Sequence, residues 1–168
     1  MSQPNTTVAV TLGVKHPVTF TLLESDFDQI TALFPRASYQ LRNKHHAAIA
    51  TRDYRGEKVD LYLRRIIADL MLREKGVSLA KGYSVETRNG NPLDVRRANL
   101  KIVRTSERIS RDLDPRRNGW HTHHIIGIRL KALTEGQCPD EAMETIAFEW
   151  LRKNAANDNG EQDGEEYA

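Results

Sequence analysis

The hydrophobic pattern opens with two β-rich runs, Val8-Ala9-Val10-Thr11-Leu12 and Val18-Thr19-Phe20-Thr21-Leu22. Gly13 and His16-Pro17 split them, so they form either a hairpin or two edge strands. Ser25, with Asp26 and Asp28 in the next turn, opens a helix that buries Phe27, Ile30, Leu33 and Phe34 and stops at Pro35. Tyr39–Arg42 and Ala47–Thr51 read as short strands around a turn at His45-His46. Adjacent residues on a strand point to opposite faces, which argues against a shared metal there. Residues 59–75 pass from strand to helix, with Ile66, Ile67, Leu70 and Met71 at helical spacing and Gly76 as the cap. Residues 83–111 read as strand, basic loop, strand and short helix. The loop holds Asn89-Gly90-Asn91-Pro92, which is turn chemistry. Trp120 opens an extended run to Leu133, with Ile126, Ile128, Leu130 and Ala132 on one side and Arg129 and Lys131 on the other. On that reading His121 and His123 share a face and can in principle share a metal with Glu86. Pro139-Asp140-Glu141 starts a last helix burying Met143, Ile146, Ala147, Trp150 and Leu151. From Asn154 onward the composition cannot bury enough to fold.

These elements predict an α+β fold: a small mixed domain of β-hairpins with a central ββα unit and a C-terminal helix. Four segments follow: an N-terminal arm at 1–17, a domain at 18–118 with its core at 83–111, a strand–helix appendage at 119–153, and an acidic disordered tail at 154–168. The appendage is a candidate for DNA binding or for homodimerisation through the 140–153 helix.

Charge sharpens this division. The net charge is +2 over 168 residues, but residues 36–117 hold 20 Lys or Arg against 10 Asp or Glu, and residues 132–168 hold 2 against 10. A basic middle calls for a polyanionic partner. One cysteine, Cys138, excludes an intrachain disulfide and a multi-cysteine zinc site. No apolar run approaches the roughly 20 residues of a membrane span. A cytoplasmic protein, nucleoid-associated when bound to DNA, is the expectation.

The run Val85-Glu86-Thr87, Asn89-Gly90-Asn91-Pro92, Leu93-Asp94-Val95-Arg96-Arg97 and Asn99-Leu100 resembles the core motif of the HNH homing-endonuclease-like proteins of phages and mobile elements. The resemblance spans roughly residues 18–118 and includes Leu61-Tyr62-Leu63-Arg64-Arg65-Ile66-Ile67 upstream. It implies a ββα metal-type nuclease scaffold. In that family a strand histidine activates water, and a neighbouring carboxylate and a helix residue hold a divalent metal. Here the base position is Thr87, the carboxylate position Glu86, the helix position Arg108, the loop asparagine position Val95 and the upstream histidine position Arg64; Asn99 is kept. A hydroxyl lacks the pKa of a base, and a guanidinium opposes a cation.

The resemblance therefore implies a double-stranded DNA-binding protein, impaired in cutting, that regulates or assists a mobile element. Arg64, Arg65, Arg88, Arg96, Arg97, Lys101, Arg104, Arg108 and Arg111 are its candidate phosphate contacts. Glu86, Thr87, Asn99 and Arg108 are the vestigial catalytic positions, and no cofactor is expected. Two alternatives stay open. One is an active endonuclease using Mg2+ with Glu86 as a ligand. The other is a protein-interaction module using the basic surface.

Overall fold

The computed structural model describes residues 6–77, 83–104 and 120–162, with the side chains of Arg104, Trp120 and residues 156–162 left out. Among the described residues the chain is a mixed α+β structure of seven strands in small sheets and four α-helices. The first two β-rich runs form a hairpin. β1 (Thr7–Leu12) pairs antiparallel with β2 (Val18–Leu23), and Val10 stands opposite Phe20. Gly13 has a φ of +92° at the tip, and a Cβ there would meet the His16 carbonyl oxygen at 2.9 Å, so only glycine closes this turn without strain. Phe20 and Leu22 alternate into the core.

Helix α1 (Glu24–Leu33) starts one residue before the expected Ser25, directly off β2 with no side-chain cap. Glu24 and Asp26 in its first turn suit the helix dipole. Strands β3 (Ser38–Arg42), β4 (His46–Arg52) and β5 (Lys58–Tyr62) make an antiparallel sheet in that order. Asn43 and Lys44 take positive φ in the first of its turns. In the second, the buried Asp53 carboxylate accepts the backbone N–H groups of Arg55 and Glu57. Helix α2 (Leu63–Glu74) buries Leu63, Ile66, Ile67, Ala68 and Leu70. It is the hub of the fold, touching β4, β5 and the later pair β6 (Tyr83–Thr87) and β7 (Leu100–Arg104).

The largest departure from the sequence pattern lies at residues 120–134. The expected extended run is helix α3 (Trp120–Thr134). Ile126 and Leu130 fit both an alternating and a helical spacing, and the side chains that reach the core, Ile125, Ile126, Arg129 and Ala132, follow the helical period. Arg129 is only 1% exposed. Its Nη1 donates to the Leu33 carbonyl and to Asp140 Oδ1, both at 2.8 Å, and its Nη2 donates to Thr51 Oγ1 at 3.0 Å. The guanidinium carbon also lies 4.5 Å from the Phe34 ring centroid. One side chain thus joins α1, β4, α3 and the start of α4 (Pro139–Gln162). Helix α4 runs on past Asn154 to Gln162, where the composition predicts a disordered tail. Met143 and Ala147 are buried as expected, whereas Trp150 and Leu151 are exposed, since the helix outruns the body beneath it.

Arg129 and Asp140 are both taken out of water, so removing one leaves the other uncompensated. Arg129→Ala is expected to lower unfolding free energy in urea by about 3–5 kcal/mol. A loss below about 1 kcal/mol would place the weight of this junction on the surrounding apolar contacts.

Candidate nucleic-acid interface

The motif loop at residues 88–99 joins β6 to β7, which pair antiparallel with Glu86 opposite Lys101 and Thr87 opposite Leu100. Three side chains fold the loop on itself. Asn89 Oδ1 accepts the Asn91 N–H, Asn91 Oδ1 accepts the Leu93 N–H, and Asp94 Oδ1 accepts the Arg96 N–H at 3.3 Å. These are successive Asx turns, with Gly90 at φ +73° between the first two. Asn99 closes the ring. Its amide donates to Asn89 Oδ1 at 2.9 Å and to the Asp94 carbonyl at 2.8 Å, while its Oδ1 accepts the Asn89 N–H at 3.1 Å. Asn99 is thus buried as a loop brace.

The loop is fixed to the rest of the molecule at two places. Thr21 of β2 exchanges backbone hydrogen bonds with Leu93 and Val95, both 2.9 Å, in an isolated parallel bridge. Arg97 makes the second link. Its Nε and Nη2 bond the fully buried Asp26 carboxylate of α1, the shortest contact at 2.7 Å, and its Nη1 and Nη2 bond Glu74 of α2 at 2.6 and 2.9 Å. Hydrogen bonds to Glu74 and then Asp26 raise Arg97 above its usual range, and the same contact pulls Glu74 below the usual carboxylate range. All three guanidinium nitrogens of Arg97 are engaged. It is an anchor that positions the loop, and Asp26 and Glu74 were not legible as site residues. The available signal was Asp26 itself, an acid lying on the same helical stripe as Ile30 and Leu33.

Arg96 is different. Its side chain is 47% exposed, with Nε and Nη2 on Asp94 at 2.8 and 2.7 Å. Its Nη1 has no partner among the described residues, and Arg88 and Lys101 are exposed as well. The hydrogen bonds from Arg96 hold the Asp94 carboxyl below its ordinary value. Beside the loop a cleft of about 480 Å3 is walled by Thr7 and Leu23 on one side and Arg96 to Asn99 on the other.

Arg64 and Arg65 stand in the first turn of α2. Arg64 Nη1 donates to His46 Nδ1 at 2.6 Å, and its guanidinium carbon lies 4.6 Å from the Tyr62 ring centroid. Burial lowers the pKa of Arg64, and burial followed by Arg64 lowers that of His46, so the imidazole is neutral and able to accept. Arg64 has no carboxylate partner among the described residues. Arg65 donates to the Tyr83 carbonyl at 3.2 Å, which ties this pair to the start of β6. Arg104 lies on β7, its side chain undescribed; Arg108 and Arg111, with the expected short helix, fall outside the described residues.

Glu86 is exposed and Thr87 half-buried. The histidines of α3 do not join them. His121 Nε2 lies 3.7 Å from Asp53, and His123 Nδ1 lies 2.5 Å from Asp69. On a helix these residues point apart and serve different acids, so the expected shared face is lost with the strand. Among the described residues no group of three His, Cys, Asp or Glu side chains is arranged to hold a metal ion. No described helix is long and apolar enough to cross a membrane. Comparison with known proteins finds no matching family model, curated protein or solved structure.

Two predictions follow from these anchors. Arg97→Ala strands the buried Asp26 carboxylate and should cost about 3 kcal/mol or more, whereas Arg96→Ala removes an exposed guanidinium from a buried Asp94 that keeps the Asn89 amide and the residue-96 backbone N–H as donors, and should cost less; urea unfolding compares them. Asp94 titrates below its unfolded value, so its contribution is complete above that value and is lost as pH falls through the folded one. Stability should therefore drop below about pH 4, and Asp94→Asn should flatten that acid limb in circular-dichroism titrations.

Proposed function

We propose that this chain is a double-stranded DNA-binding protein built on an HNH-type ββα scaffold whose cutting machinery has lapsed, acting as a regulator or accessory factor of a mobile element. The observation that carries the reading is the motif loop. A twelve-residue connection braced by Asn89, Asp94 and Asn99 carries the exposed Arg88 and Arg96, with the exposed Lys101 next to it on β7. Rigid presentation of arginine forks suits phosphate oxygens. Arg64, half-buried and without a carboxylate partner among the described residues, supplies a further cation whose counter-ion a phosphate would provide. Arg97 positions the loop, and Arg65 ties the start of β6 to α2. Arg104, Arg108 and Arg111 extend the basic set.

Against cleavage stand Thr87 at the base position and Lys101 directly across the strand from Glu86. A divalent cation on Glu86 would have an ammonium-bearing neighbour, and a threonine hydroxyl does not take a proton near neutral pH. The second reading, an active Mg2+-dependent endonuclease, keeps Glu86 as its one exposed carboxylate on β6. The basic surface could also meet an acidic protein, but the density of arginine around a rigid loop favours phosphate.

Binding to duplex DNA should weaken with salt at a log–log slope of about −0.9 per neutralised phosphate. Arg88→Ala/Arg96→Ala should make that slope shallower by about 1.8 while leaving the fold intact. Fluorescence anisotropy across a salt series measures both. Affinity that is independent of salt, or unchanged in the double variant, would sink the proposal.

A further inference from the structure

Helix α4 is longer than the body it packs on. Its 24 residues span about 36 Å, yet among the described side chains the last buried one is Ala147. Phe148 beyond it is 70% exposed and Leu151 53%. Two large apolar side chains exposed side by side on one helix face call for a cover. They border a groove of about 870 Å3 whose opposite wall is the outer face of the three-stranded sheet.

One charge pair already crosses the groove, Arg36 Nη1 to Glu144 Oε1 at 3.2 Å, and Asp140 is held by the buried Arg129, but other charges beside the groove have no such partner among the described residues. Arg52 and Lys58 are cross-strand neighbours on β4 and β5, and neither has a carboxylate partner among the described residues; Arg52 donates instead to the Gly56 carbonyl at 2.8 Å. On α4, the exposed Glu141 and Glu149 have no cationic partner among the described residues. We propose that the groove is occupied by α4 of a second copy of this chain, related by a two-fold axis. Phe148 and Leu151 of each copy seat in the groove of the other, and the Glu141 and Glu149 carboxylates reach Arg52 and Lys58 across the interface. A two-fold contact uses one patch twice, so each pairing made once is made again. The arrangement has an apolar centre and a charged rim, the usual anatomy of a protein interface. The inference stands independently of the DNA-binding reading.

Sedimentation equilibrium of the full chain over a concentration series tests it. Wild type is expected to weigh twice the 19.2 kDa monomer. Phe148→Glu/Leu151→Glu should weaken the dimer at least about 100-fold with unchanged circular dichroism. Arg52→Glu/Lys58→Glu should weaken it about 10-fold, and adding Glu141→Lys/Glu149→Lys should restore it. A wild type that stays monomeric throughout, a Phe148/Leu151 variant that dimerises as well as wild type, or a charge swap that rescues nothing would each overturn this arrangement.

Discussion

The interaction on which the candidate site depends is the double ion pair of Arg97. A single guanidinium inserted between Asp26 of α1 and Glu74 of α2 fixes where the motif loop lies relative to both helices. Asp26 is fully buried, so its charge is tolerable only while Arg97 is there. The pairing is also directional. The planar fork meets the Asp26 carboxylate through two nitrogens, which fixes the orientation of the chain at the end of the loop as well as its distance. The Asn89–Asp94–Asn99 ring then carries that fixed point to the exposed Arg96. Local turn chemistry shapes the loop, and one long-range ion pair aims it.

The same device recurs on the opposite side of the fold. Arg129 does for α3 and α4 what Arg97 does for the loop, with Asp140 as its carboxylate and the Leu33 carbonyl as a second acceptor. His123 and Arg73 both converge on the buried Asp69 of α2. A chain with 39% hydrophobic residues has a lean core, and three buried acids, each satisfied by a cation from another element or another turn, specify how the small sheets and helices dock. Such pairs add little net stability against apolar replacements, but they penalise wrong packing strongly.

Local chemistry is what was legible in the sequence. The hairpins, the helix from residue 63 with its glycine cap, and the turn at Asn89–Pro92 follow from residue-type preferences acting over a few positions. The failures have one physical origin. Residues 120–134 alternate as a strand would, and only the burial of Arg129 reveals the helical period; an arginine normally marks the solvent face, so the pattern pointed the wrong way. Asp26 was taken as a first-turn acid, which it is, while its burial depends on Arg97, 71 positions away. The bridge from Thr21 to the motif loop is equally non-local. Sequence patterns report what neighbouring residues prefer. They do not report which distant charge will compensate a buried one, and in this fold those compensations place the site.

The account's central claim is that this scaffold holds DNA without cutting it. On the proposed reading, Lys101 stands opposite Glu86 and Thr87 occupies the base position, so β6 itself offers no imidazole to activate water. The most direct measurement is incubation of supercoiled plasmid with the full chain at low salt and Mg2+ or Mn2+, followed by electrophoresis with and without protein removal. The account predicts retarded migration before removal and intact supercoiled plasmid after it. Nicked or linear plasmid that disappears with Glu86→Ala would contradict it.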